Sequence, residues 1–154
     1  MNIVSFQPDI PQNLGGLIRL TSCFGVKLSV IEPCGFPLGD KGLRRVSMDY
    51  FDKANITIFK SWQDFLLREA NNGRKVLLTT KSEKYYNKFS FLPDDYLILG
   101  NESSGAPDYV HKDLNYNIKI PMRKNIRSLN LVSAASIVLS EALRQNNLLN
   151  YDSI

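Results

Sequence analysis

Apolar runs of strand length alternate with helix-length amphipathic stretches from one end of this chain to the other, and that rhythm limits the fold more than any other feature. The runs are Ile3 to Phe6, Leu28 to Glu32, Ile56 to Phe59, Val76 to Thr80, Tyr96 to Leu99 and Asn117 to Ile120. They are short and rich in β-branched or bulky side chains, as strands buried on both faces are. Between them the spacing predicts helices over 12–24, 40–47, 61–72 and 104–113, with a last one over 128–146. Strand, helix, strand in repetition is the signature of an α/β fold, a mostly parallel sheet with helices on both faces. The chain has 154 residues and no internal repeat, low-complexity tract or Pro/Gly/Ser linker, so a single domain over 1–154 is expected.

Local signals support the third predicted helix. Ser61 is placed to cap it, Asp64 follows three residues on, and Gly73 stands where a C′ glycine would close it. Trp62, Phe65 and Leu66 repeat at helical spacing and read as core. The last helix differs in kind. From Leu129 to Ala142, nine of fourteen residues are apolar and they point in nearly every direction on a helical wheel. Ser133, Ser136 and Ser140 form a narrow stripe of small residues. One chain of this size does not readily enclose such a helix, so a homodimer contact is expected, with a deeply packed core helix as the alternative.

Charge and cysteine content exclude several classes. Lys and Arg number 19 against 15 Asp and Glu, a net charge of +4, which permits a nucleic-acid partner without demanding one. Cys23 and Cys34 are too few for a disulfide framework and sit in no Cys/His cluster, so both are read as reduced thiols, with no metal site. No apolar stretch is long enough to span a membrane, and residues 1–6 do not read as a secretory leader. The expected setting is the cytoplasm.

Three segments carry groups suited to chemistry. In Pro11-Gln12-Asn13-Leu14-Gly15-Gly16-Leu17-Ile18-Arg19, the residues Leu14, Leu17, Ile18 and Thr21 define an inward face and leave Arg19 on another, flanked by small residues. That setting, near a helix N-terminus at a strand end, suits a phosphate; a surface arginine is the equal alternative. In Leu99-Gly100-Asn101-Glu102-Ser103-Ser104-Gly105-Ala106-Pro107, a buried strand enters a glycine-bearing loop that offers one carboxylate. Taken alone it reads as a strand-to-helix turn. In the third, the strand ends near Pro121, a basic loop follows, and Ser128 is placed to cap the last helix. Lys119, Arg123, Lys124 and Arg127 fall within nine residues with no acid among them, and Lys41, Arg44 and Arg45 form a second basic group. Alone, each charge run reads as a solvated face. Together the three loops each follow a buried strand, and parallel strands place all their carboxyl ends on one edge, where the loops converge.

Taken together, Asn13-Leu14-Gly15 with Arg19, Leu99-Gly100-Asn101-Glu102-Ser103-Ser104-Gly105 with Pro107, and Ile120-Pro121-Met122 with Ser128-Leu129-Asn130-Leu131 closely resemble the SPOUT superfamily of RNA methyltransferases, in its 2′-O-ribose branch. The Ile31-Glu32-Pro33-Cys34-Gly35-Phe36 segment, Leu43-Arg44-Arg45 with Asp49-Tyr50, and Leu78-Thr79-Thr80-Lys81 are similar to its minimal TrmL (YibK-like) type. The resemblance implies a SPOUT fold with a C-terminal trefoil knot, an exception to the usual avoidance of knots. It implies S-adenosyl-L-methionine as methyl donor, a homodimer, and a tRNA anticodon stem-loop as substrate, methylated at the 2′-hydroxyl of the wobble nucleotide, cytidine or a modified uridine at position 34. The cofactor would lie against Leu78, Thr79, Gly100, Ile120, Ser128 and Leu129. Arg19 would be the catalytic arginine, with Asn13, Glu102, Ser128 and Asn130 ordering the site.

A sulfonium already carries an activated methyl group, so no metal is needed and positioning supplies much of the rate. A guanidinium stays protonated in proteins, which suits Arg19 to clamping phosphate and stabilising developing alkoxide charge rather than to acting as a base. The basic loops containing Lys41, Arg44 and Arg45 and Arg123, Lys124 and Arg127 are the expected tRNA backbone contacts. Ala106 and Val132 depart from the family pattern without removing a catalytic group, and His111, the single histidine, reads as structural or exposed. Two alternatives stand beside this reading: a 2′-O-methyltransferase for another tRNA or rRNA position, and a non-catalytic RNA-binding module of the same fold.

Overall fold

The computed structural model describes residues 1–38, 42, 45 and 47–149. Six strands form one sheet: β1 (Asn2–Phe6), β2 (Lys27–Ile31), β3 (Ile56–Phe59), β4 (Lys75–Leu78), β5 (Tyr96–Leu99) and β6 (Tyr116–Ile118), in the spatial order β3-β2-β1-β5-β4-β6. Every pairing between them is parallel. The helices are α1 (Pro11–Phe24), α2 (Trp62–Arg68), α3 (Asp108–Asp113) and α4 (Leu131–Gln145), with 3-10 turns at Met48–Lys53 and Tyr86–Lys88. Of the helix expected over 40–47, residues 42, 45 and 47 are helical, and the rest, Lys41 and Arg44 included, lie outside the described residues.

Side chains alternate along each strand and so feed two cores, one on each face of the sheet. On one face Ile3, Leu28 and Leu97 pack with Leu14, Leu17 and Ile18 of α1 and Ala135, Val138, Leu139 and Ala142 of α4. On the other, Val4, Phe6, Ile31 and Ile98 pack with Trp62 and Phe65 of α2 and Val110 of α3. Phe65 meets Phe59 edge-on, with ring centroids 5.2 Å apart, and Trp62 donates its indole N–H to Asp113 at 2.8 Å. The aromatic side chains of α2 are therefore core, as their spacing predicts, and the one polar atom of Trp62 is satisfied.

Several boundaries differ from the sequence expectation for identifiable reasons. Ser61 caps α2, its hydroxyl accepting from Asp64 N at 3.1 Å, while Asp64 Oδ2 reaches back to Lys60 N at 3.0 Å. The helix nevertheless stops at Arg68, and Gly73 does not close it. Gly73 has φ +27°, and a Cβ there would lie 2.0 Å from the carbonyl oxygen of Asp94, so the glycine serves the passage of the chain into β4. The helix predicted over 104–113 begins only at Asp108, because Asn101 and Gly105 exchange backbone hydrogen bonds at 3.2 and 2.8 Å and close a turn first. The last helix begins at Leu131, and its cap is Asn130 instead of Ser128: Asn130 Oδ1 accepts from Val132 N at 2.9 Å and from Ser133 N at 3.3 Å.

The described residues do not enclose α4 on all sides. Ala135, Val138, Leu139, Ala142 and Leu143 are buried, whereas Ser133 and Ser140 are exposed and Ile137 keeps 38% of its surface. Ser133, Ser136, Ile137 and Ser140 share the outward side.

Candidate active site

Two clefts meet at the carboxyl ends of the strands, where the topology brings the three polar loops together. The first is apolar, bounded by Leu78, Leu99, Ile120, Met122, Leu129, Leu131 and Ala134 with Thr79, Thr80 and Ser128 at its polar margin. Its cavity volume is about 110 Å³, below the ~300–1,000 Å³ usual for a whole small-molecule site, so by itself it takes only part of a ligand. The second is polar and lined by Asn13, the loop 100–106, Lys81, His111 and the segment 127–131. Thr80, Ser128 and Leu129 border both.

All six residues expected at the cofactor line this pair of clefts: Leu78, Thr79, Ile120, Ser128 and Leu129 the first, with Gly100 in the second. The physical reason for Gly100 is different from the one its position suggests. A Cβ there would lie 2.5 Å from Ala106 N and 2.7 Å from the carbonyl carbon of Gly105. The glycine lets residues 105 and 106 fold back over the end of β5. Ala106 is buried in the core on the α2/α3 face. Val132, the other departure, has a methyl group 2.9 Å from where a Cβ on Gly16 would stand, so it fastens α4 to α1.

The polar cleft is organised by a relay of side chains from distant parts of the sequence. Asn130 Nδ2 donates to Asn13 Oδ1 at 3.0 Å, and Asn13 Nδ2 donates to Glu102 Oε1 at 3.1 Å. The other oxygen of Glu102 accepts from Asp9 N at 2.9 Å. Asn101 holds its own loop, with Nδ2 donating to Gln7 O at 2.6 Å and Oδ1 accepting from Ser103 N and Ser104 N, both at 3.0 Å. Each amide is oriented at both ends, one end of the relay being the N-terminal turn of α4 and the other the carboxyl of Glu102.

Asp9 is a member of this group that sequence reasoning missed. Its carboxyl meets that of Glu102 and accepts from the Ser103 hydroxyl. Burial, and then Asp9 itself, raise Glu102 above the ordinary carboxylate range, while hydrogen bonds from Glu102 and Ser103 lower Asp9. Asp9 Oδ1 is buried and has no hydrogen-bond partner among the described residues. The sequence signal was present in an acid shortly after the first strand, but only the tertiary structure places it against the second carboxyl. Burial, then Glu32 and Glu102, push the nearby half-buried Cys34 thiol up to about 12.

Arg19 stands apart. It lies in the third turn of α1, not in the first, is exposed, and lines neither cleft. Its guanidinium lies 5.2 Å from the centre of the Tyr50 ring. Of the expected RNA contacts, Arg123, Lys124 and Arg127 line a third, basic groove that adjoins both clefts, and Arg45 is exposed elsewhere. Among the described residues there is no grouping of His, Cys, Asp and Glu able to hold a metal ion, and no helix long and apolar enough to cross a membrane.

An apolar cleft sharing a border with a site of oriented amides, at the carboxyl edge of a parallel sheet, is laid out to hold one largely apolar ligand beside a polar one. The chain belongs to the SpoU rRNA methylase family, whose model matches residues 1–140. It is 46% identical over 141 residues, 91% of this chain and 88% of the relative, to a tRNA (cytidine(34)-2'-O)-methyltransferase of Beijerinckia indica. It is 40% identical, over 94% of this chain and 93% of the relative, to the protein of that name in Escherichia coli. A solved structure concerned with the 2-OH methylation of C/U34 on tRNA superposes with a TM-score of 0.87 at 34% identity, covering 95% of this chain and 90% of that one. The SpoU methyltransferase AviRb of Streptomyces viridochromogenes, in complex with AdoMet, superposes with a TM-score of 0.83 at 25% identity, covering 96% of this chain and 60% of that one.

Proposed function

We propose that this chain is a tRNA 2′-O-methyltransferase that modifies the wobble nucleotide, cytidine or uridine 34, with S-adenosyl-L-methionine as methyl donor. The observation that carries the reaction is the Glu102–Asn13–Asn130 relay at the border of the apolar cleft. The names of the relatives at 36–46% identity carry the choice of nucleotide. The donor set of the apolar cleft fits an adenosyl group: aliphatic walls from Leu78, Leu99, Ile120 and Leu131, with Thr79 and Ser128 at the margin. When bound, the cofactor supplies a methyl group on a positively charged sulfur, already activated for displacement.

The residues of the chain supply position and field. Asn13 and Asn130 cannot rotate without losing partners at both ends, so the amide dipoles facing the polar cleft are set before substrate arrives. Burial and the neighbouring Asp9 disfavour a charge on Glu102, which lessens the negative charge on the floor of that cleft where an RNA phosphate must approach. Ser128, at the junction of the clefts, is placed to hold a ribose hydroxyl beside the donor. Arg19, a fixed cation outside the cleft, serves as the phosphate clamp of a site completed across a homodimer. The outward face of α4, with Ile137 partly exposed beside Ser133 and Ser140, supports such a dimer. A trefoil knot in the C-terminal half is in keeping with the placement of β6 beyond β4 and with the backbone pairing of the segment after β4 to Lys119. The cytoplasm is the compartment in which such an enzyme meets tRNA.

The test is mass-spectrometric mapping of ribose methylation in tRNA from cells with and without the protein. The methyl group at position 34 is expected to disappear with the protein. An unchanged position 34 would overturn the assignment.

A further inference from the structure

Beyond the two clefts lies the groove that holds Arg123, Lys124 and Arg127, and its wall contains one exposed aromatic ring, Tyr85. Lys119 also lines it, so four cations share the groove with that ring, and no carboxylate is among its described lining residues. The groove is continuous with the active site: Thr80 borders all three depressions, and Arg127 belongs to both the groove and the polar cleft.

Tyr85 is exposed yet fixed. It forms a parallel bridge with Lys119, and Tyr86 N donates to Lys119 O at 2.9 Å while Lys119 N donates to Lys84 O at 2.8 Å. Lys88 N donates to Tyr85 O at 3.0 Å, closing a 3-10 turn directly after it. The Lys119 ammonium lies 5.3 Å from the ring centre, a cation–π contact that holds the ring in place. Even so, 44% of Tyr85 remains accessible. Most large aromatic side chains of this chain are spent on its two cores; this one is held by rigid backbone at the surface, in a field of uncompensated positive charge.

We propose that this groove is a subsite for one unpaired nucleotide flanking the methylated one, its base stacked on Tyr85 and its phosphate held by Arg123, Lys124 and Arg127. A stacking platform beside a cationic track is how unpaired nucleic acid is gripped without reading its sequence, because every base has a π face. The inference rests on the reading of the chain as an RNA methyltransferase and adds the contact that would pull the anticodon loop open next to its target. A ring already fixed loses little entropy on stacking.

The test uses the full-length protein and an anticodon stem-loop RNA with 2-aminopurine placed in turn on each side of nucleotide 34. Tyr85→Ala should weaken RNA binding by roughly tenfold or more and abolish the quenching of 2-aminopurine at one of the two positions. Tyr85→Phe should keep both, since stacking needs the ring and not the hydroxyl. S-adenosyl-L-methionine affinity, measured by calorimetry, should be the same in all three proteins. If Tyr85→Ala binds and methylates the stem-loop as the wild type does, or if Tyr85→Phe loses as much as Tyr85→Ala, the subsite is overturned while the methyltransferase reading stands. If the wild type itself neither binds nor methylates the RNA, it is the methyltransferase reading that fails.

Discussion

Asn130 donates to Asn13 at 3.0 Å across 117 residues of sequence, and with its other atom, Oδ1, it caps the helix that follows. One side chain thereby ties the N-terminal turn of α4 to the first turn of α1. The cap and the relay are separable by substitution. Asp at 130 keeps an oxygen for the N–H groups of Val132 and Ser133 but turns a second oxygen toward Asn13 Oδ1, where a donor is needed. Asn130→Asp should therefore hold its melting temperature near that of the wild type and lose at least about tenfold in kcat, the loss expected when oriented polar groups are disturbed. Asn130→Ala should lose the same activity and also about 1 kcal/mol of stability with the cap. Thermal denaturation and single-turnover methylation of an anticodon stem-loop check both.

The turn after β5 depends on the absence of a side chain at residue 100. Because a Cβ there would meet the backbone of Gly105 and Ala106 at 2.5–2.7 Å, no rotamer change relieves it. Gly100→Ala should displace the loop bearing Glu102, reducing S-adenosyl-L-methionine binding and kcat together, with destabilisation on the order of 1–3 kcal/mol. Calorimetry and a urea melt provide the readouts; a variant with wild-type affinity would show that the loop tolerates displacement.

Asp95 has no exposed surface, and its partner Arg74 reaches it with two nitrogens, at 2.8 and 2.7 Å. The guanidinium also lies 5.1 Å from the ring centres of Phe89 and Tyr116. Arg74→Ala leaves a buried carboxylate whose remaining donor is Leu92 N, and should cost about 3–5 kcal/mol. The loss should appear as an earlier urea midpoint with activity intact below it, since the pair sits at the opposite edge of the sheet from the clefts.

The two thiols should differ in reactivity with pH. Cys34 is half-buried and its thiol is pushed up to about 12 by burial and by Glu32 and Glu102, whereas Cys23 is exposed. A raised value means that the folded protein retains the Cys34 proton, so any stability from it is present below about 9 and is lost only as pH rises toward 12. At about pH 8, iodoacetamide should label Cys23 and leave Cys34 largely unmodified until denaturant is added. Peptide mass spectrometry reads this directly, and equal labelling of the two in the native protein would contradict the burial of Cys34.

Strand positions, the aromatic core of α2 and the convergence of the polar loops were legible in the sequence because each depends on local periodicity and on the geometry of parallel strands. Asp64 behind Ser61 is a local device of this kind. The reading failed where one local signal met a distant competitor. Ser128 is as good a capping residue as Asn130, but Asn13 holds Asn130 in place and so decides where α4 starts. Gly73 looks like a helix stop, yet the carbonyl of Asp94 is what forbids a side chain there.

The sequence by itself determined the strand and helix rhythm, the two-faced sheet and the residues available for chemistry, since these follow from hydrophobic period and side-chain type. The tertiary structure alone decided their relations: Asp9 against Glu102, Tyr85 pinned at the groove, Arg19 turned away from the clefts, and which side of α4 is left open. Periodicity is a property of neighbours along the chain, whereas a pair of adjacent carboxyls, a bridged strand or an uncovered face depends on which distant segments the sheet order brings together.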